Sequence, residues 1–217
     1  MSLAKGAKAG IELDYHGLDR TAESNFRAIQ ENINGYFWDD LRFPATAVNL
    51  DSAATRYSFN TTELGIQFDT NARHPNEQVN FIAQMPHSKL FGSNAHVHIH
   101  WMQAEANLPN VLLAHRWYNN NKAIPSTWTF SIMKPGVFTY VSGNLAQISE
   151  IAVATPPVNE DVSSILEMKL WRDTANTTGY FAGADPYTVA WLFKELDLHI
   201  QFDSIGSVQE YDKYRRT

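Results

Sequence analysis

Ala95-His96-Val97-His98-Ile99-His100-Trp101-Met102 sets β-branched and aromatic residues in strict alternation with three histidines. Period two is the mark of a strand with two chemically different faces. Val97, Ile99 and Trp101 are expected to enter a core, with His96, His98, His100 and Met102 on the opposite face. A helix turns about 100° per residue and would send alternate histidines to opposite sides. Only a strand gives them one face.

Histidines two apart on a strand sit about 6.5–7 Å apart, near enough for two rings to share an ion; three in a row span about 13 Å, too far for one ion. Two readings follow. In one, the histidines are neutral and hydrogen-bonded to carbonyls and carboxylates, which needs no cofactor and is the preferred account. In the other, His96, His98 and His100 with the remote His199 hold a structural divalent metal. A three-fold meeting of one such histidine from each of three chains would be a closed staple, without catalysis. A cupin-like centre would instead combine His96 and His98, or His98 and His100, with His199 and Asp197 or Glu195, and Glu105 as the following acid. No glycine-rich motif surrounds that set.

Outward from this strand, short alternating runs separated by turn residues occur near 47–50, 56–59, 64–69, 78–84, 111–118, 127–133, 137–141 and 163–172. In 163–172 the faces are ambiguous, because Trp171 falls in phase with Glu167 and Lys169. In the last run, Leu196, Leu198, Ile200 and Phe202 alternate with Asp197, His199, Gln201 and Asp203. Many short strands without intervening helices predict a mainly β chain, an antiparallel jelly-roll-like β-sandwich over 36–210. Ahead of it, Ala22, Phe26, Ile29 and Ile33 form a helical stripe over Asp19–Asn34, the one N-terminal helix, preceded by an extended N-terminal arm over 1–18. Residues 1–35 thus form an arm and helix, and 211–217 a C-terminal tail.

Charged residues are 18% of the 217, below the roughly 25% usual for soluble domains, while aromatics are 12% and include six tryptophans. That balance suits a surface partly covered by neighbours. The net charge of −6 disfavours nucleic acid as a partner. With no cysteine, disulfides and thiolate metal sites are excluded. No apolar run reaches membrane-span length and the start has no secretory core, so synthesis in the cytoplasm without membrane insertion is expected.

Trp38-Asp39-Asp40-Leu41-Arg42-Phe43-Pro44, Met85-Pro86-His87, His98-Ile99-His100-Trp101, Leu170-Trp171-Arg172-Asp173, Leu198-His199-Ile200 and Asp203-Ser204-Ile205-Gly206-Ser207, in this order, resemble small structural proteins encoded among the virion genes of tailed bacteriophages and prophages. The resemblance runs from about Trp38 to Glu210. It implies a β-sandwich virion component, with no catalytic residues to carry over.

The expected function is therefore non-enzymatic: a capsid decoration or cement protein, or a tail-associated component, located in the virion and assembled as a symmetric oligomer, a trimer above all, with other virion proteins as partners. Lys5, Lys8, Phe26 and Ile29 in the arm and helix, and Tyr211, Tyr214 and Arg215 in the tail, are the expected interface residues. Asp39, Asp40 and Arg42 are expected to make surface or interface ion pairs. One alternative is a receptor- or carbohydrate-binding module using exposed Trp117, Tyr118, Trp128 and Tyr140. The other is the cupin-like metal-dependent enzyme.

Overall fold

The computed structural model describes residues 37–47, 57–70, 78–133 and 143–202. The expected N-terminal helix, the arm, the tail and the interface residues Lys5, Lys8, Phe26, Ile29, Tyr211, Tyr214 and Arg215 lie outside them, as does Tyr140. Ten strands are described: β1 (Phe37–Pro44), β2 (Tyr57–Asn60), β3 (Gly65–Phe68), β4 (Gln78–Gln84), β5 (Ala95–Gln103), β6 (Val111–Tyr118), β7 (Thr129–Ile132), β8 (Leu145–Ala154), β9 (Ile165–Arg172) and β10 (Trp191–Phe202). They form two antiparallel sheets. One runs β2-β3-β10-β5-β8, with β1 also paired to β10, and the other runs β4-β9-β6-β7.

The faces of these sheets meet in one apolar core, which makes the chain a mainly β sandwich. Val97, Ile99 and Trp101 of β5, with Leu196, Leu198 and Ile200 of β10, enter it from the first sheet. Val79, Phe81 and Ala83 of β4, Leu166, Met168 and Leu170 of β9, and Val111, Leu113 and Trp117 of β6 enter it from the second. Phe81 meets Phe43 edge-on at 6.1 Å and Phe193 at 5.8 Å between ring centroids. Burying each such large side chain stabilises the fold by about 1.5–3 kcal/mol, so alternation along β5 decides its orientation decisively.

β10 is where the sheet is assembled. Phe37–Pro44 pairs with its second half, and Phe68–Ile66 pairs with Trp191–Phe193 along the first. Its pairing with β5 shifts by one residue between Phe193 and Glu195. That bulge at Lys194 changes phase: Trp191 and Phe193 point into the core ahead of it, and Leu196, Leu198 and Ile200 do so after it. Beside the bulge the backbones are close. A Cβ on Gly65 would lie 2.7 Å from the Phe193 carbonyl oxygen, so β3 can start there only with glycine.

Trp171 resolves the ambiguity in β9. It faces away from the main core, yet is buried with Leu112, Ala114 and Phe181 in a second apolar cluster. The segment 173–190 forms the cover. Asp173 accepts hydrogen bonds from the amides and hydroxyls of Thr177 and Thr178, and the Asn176 amide brackets the Phe181 backbone. Burial pulls the Asp173 carboxyl upward, but these donors outweigh it and hold the group below its ordinary range.

His115 of β6 is buried on the core side, and its Nδ1 has no hydrogen-bond partner among the described residues. Burial holds this imidazole below its ordinary value. As pH falls, the unfolded chain therefore binds this proton first. The contribution of neutral His115 is complete above about pH 6.5 and is lost progressively below it. His115→Leu is expected to flatten the loss of stability between about pH 7 and 5, read from urea midpoints across that range. An unchanged slope would refute a role for His115.

Candidate functional site

The outer face of the first sheet collects the histidines. Register across β1, β10, β5 and β8 sets Asp40, His199, His96 and Val153 in one row. Arg42, Asp197, His98 and Glu150 form the next, and Pro44, Glu195, His100 and Ile148 the third. This grid exists because two bulges fall where they do. One at Lys194 turns Glu195, Asp197 and His199 outward, and a register shift opposite Val97/His98 keeps Glu150 in phase with the histidines.

Each imidazole meets a carboxylate from another strand. His96 Nδ1 is 2.9 Å from Glu150 Oε2, and His199 Nε2 is 2.8 Å from Asp40 Oδ1. Asp197 is nearly buried and lies between two rings, 3.7 Å from His98 Nδ1 and 3.5 Å from His100 Nε2, through its two different oxygens. Its Oδ1 has no hydrogen-bond partner among the described residues. Arg42 clasps Glu195 through both carboxylate oxygens. Exposed Trp38 sits edge-on to His96 at 5.6 Å and tilted over His199 at 5.9 Å, while His98 and His199 lie 5.2 Å apart.

The shared carboxylate treats its two neighbours differently. Burial lowers His98, with Asp197 opposing and His199 adding to the drop. The interaction with Asp197 raises His100, with burial opposing. Stability drawn from His100 is thus present at low pH and lost as pH rises through its raised value, whereas that from neutral His98 is lost as pH falls.

The structure spreads His96, His98, His100 and His199 along this face, each near a carboxylate: His96 hydrogen-bonds Glu150, whereas His98 stands 3.7 Å from Asp197. Among the described residues, no three histidine, aspartate or glutamate side chains are placed to hold one metal ion. Glu105, the distant acid of the cupin-like arrangement, is engaged by the amide and hydroxyl of Thr188. His98→Ala is expected to cost about 1 kcal/mol or less, and chelation to leave the melting temperature unchanged; a chelator-dependent drop of several degrees would refute the metal-free account.

Asp40 and Arg42 make the surface ion pairs expected of them, to His199 and Glu195. Exposed Asp39 bonds the amide of Asp40 instead. Two of the aromatic residues expected at the surface are not there. Trp117 is buried, donating from Nε1 to Ser164 Oγ under the buried Lys89–Glu160 ion pair, with Lys89 Nζ 4.9 Å from its ring centroid. Tyr118 is buried too, its hydroxyl donating to Glu167. Trp117 shares the inward phase of Val111 and Leu113 and enters the main core, whereas Tyr118, on the opposite phase, is held down by Glu167 of the neighbouring strand β9. Trp128 does stand on the outer face of the second sheet, 4.3 Å from the Arg116 guanidinium and 4.4 Å from Lys169 Nζ. Phe130 and Tyr180, neither singled out by the sequence, stack beside it at 5.1 Å.

No family model matches the chain, and no curated protein matches it. Among solved structures, the chain is similar to part of the Paenibacillus sp. cycloisomaltooligosaccharide glucanotransferase complexed with cycloisomaltoheptaose, at 12% identity and a TM-score of 0.32, over 72% of this chain and 18% of that one. It is also similar to part of the enzymatically active domain of tailspike protein 4 of bacteriophage CBA120, at 11% identity and a TM-score of 0.28, over 79% and 20%. The chain spans about a fifth of the length of each. Likeness of this degree carries no argument about function.

Proposed function

We propose that this chain is a non-enzymatic structural protein of a tailed-bacteriophage virion, a capsid decoration or tail-associated component that works as a symmetric oligomer, most simply a trimer. The observation that carries the reading is the outer face of the first sheet, where Arg42 and Glu195, His96 and Glu150, and His199 and Asp40 meet in cross-strand pairs. Spread over four strands, such pairs are suited to meeting a large complementary surface. Exposed Trp38, Ile148 and Val153 border them, and Ile82, Phe130 and Ile132 stand out on the second sheet. The sequence resemblance supplies the virion context. The strand order supports a jelly roll: β3 to β10 divide into β3-β10-β5-β8 and β4-β9-β6-β7. No cofactor enters this reading, and the partners are further copies of the chain and other virion proteins.

Mass spectrometry and imaging of purified particles test it. The chain is expected in fixed copy number at a symmetric position, and absence from particles would overturn the assignment. Sedimentation of the purified chain tests the oligomer, which a monomer both in solution and on the particle would exclude.

A receptor- or carbohydrate-binding virion module is the second reading, favoured by one observation: Trp128 beside Arg116 and Lys169, next to the Phe130–Tyr180 stack, makes an aromatic surface with charged neighbours. Glycan binding lost on Trp128→Ala would select it.

A further inference from the structure

We infer that the outer face of β1, β10, β5 and β8 is a docking surface for a basic, extended protein segment bearing apolar side chains. This rests on the reading of the chain as an assembly protein and adds the chemistry of its partner. Two independent observations carry it.

The first is charge. Asp40, Glu150, Glu195 and Asp197 stand against a single guanidinium, Arg42, leaving three negative charges on the grid when its imidazoles are neutral. At the margin, Lys194 and Glu63 lie 4.0 Å apart and cancel. A face of this sign repels nucleic acid and acidic membranes and attracts lysine and arginine side chains. Exposed Trp38, at 48%, and Ile148, at 52%, flank the charges. They offer apolar contacts to alternate side chains of an extended segment.

The second is the orphan acceptor. Asp197 is more than nine-tenths buried, and its Oδ1 has no donor among the described residues. A buried carboxylate oxygen without a donor is costly. The ring of His98 stands 3.7 Å from it. A cationic side chain arriving between His98 and His100 would supply the missing donor after a small turn of the His98 ring. The other carboxylates of the grid already have partners, so Asp197 is the anchor point and the rest provide the field.

The test uses the full chain and an eight-residue peptide of alternating arginine and valine, with binding followed by calorimetry at pH 7.5 and low salt. An uncharged peptide with glutamine for arginine is the control. The paired variant Asp40→Asn/Glu150→Gln is expected to weaken binding at least tenfold. Asp69→Asn/Asp161→Asn removes the same net charge away from the grid and is expected to weaken it less than twofold. Asp197→Asn, its fold checked by thermal unfolding, is expected to weaken binding by a further comparable factor. Equal losses in the two paired variants would reduce the effect to net-charge attraction and overturn the proposal, as would no binding by the wild-type chain. Because the isolated chain is measured, failure here leaves the particle assignment standing. Absence from particles, conversely, leaves the peptide result intact.

Discussion

Replacing Trp101 with alanine is expected to destabilise the fold by about 3–5 kcal/mol, seen as a lower urea midpoint with little change in slope. Trp101 is only 2% exposed and sits where the two sheets meet. Its ring lies 6.4 Å from Tyr187 and 6.5 Å from Trp191, and its Nε1 donates to Ser149 Oγ at 3.1 Å. Alanine would leave a cavity between rings that are themselves held by other contacts. Tyr187 accepts a hydrogen bond from the Ala104 amide, and Trp191 lies tilted against Phe68 at 5.2 Å. Neither is free to collapse into the space, so the cavity cost adds to the lost transfer free energy. Trp101→Phe, which keeps most of the volume, should cost roughly half as much or less. A loss below about 1 kcal/mol for the alanine variant would mean that the ring does not fill the core as described.

Arg172→Leu is expected to be comparably severe, about 3–5 kcal/mol. The guanidinium is wholly buried. It bonds Asp185 through Nε at 2.7 Å, and the backbone carbonyls of Asp69, Val189 and Tyr187 through its terminal nitrogens. Leucine would strand a buried carboxylate and three carbonyl oxygens at once, and stranding, more than the loss of the pair itself, sets the cost. Because Asp185 and the Tyr187 and Val189 carbonyls lie in the segment leading into β10, the variant should also loosen 173–190 locally. Hydrogen exchange of the Thr177 and Thr178 amides would report that before global unfolding. A substitution with under 1 kcal/mol of effect and unchanged exchange would show that the cluster is redundant.

The register of β5 was legible because each step of the alternation changes chemistry as well as polarity. Val97, Ile99 and Trp101 are all buried, and the histidines are not. Strand β6 was legible in its bounds, and the later half of β10 in its faces. Strand β8 was not among the expected strands. Its apolar residues Ile148, Ile151 and Val153 occupy both phases because the register shifts within it, so no single alternation runs through it. Phe37–Pro44, not among the runs read as strands, is a full strand that shows itself only through its pairing with β10. The candidate site was half legible. That the histidines share a face followed from spacing, and that His199 meets a carboxylate followed from its neighbours' polarity. That His96 meets Glu150, and that one aspartate serves both His98 and His100, depends on strand order, which local sequence does not encode.

The phase change at Lys194 has a mechanical consequence. A strand with uniform alternation can slide past its neighbour by two residues and bury the same face again, so sheets of such strands admit false alignments. β10 cannot do this. Its first three residues and its last eight belong to opposite phases, and a slide that satisfies one stretch carries the break to the wrong place in the other. Since β1 and β3 both align on the same edge of β10, and β5 on the other, one extra residue acts as an indexing notch for four strands. A slipped strand would expose unpaired edges and nucleate aggregates, so the notch also guards the folded chain against that fate.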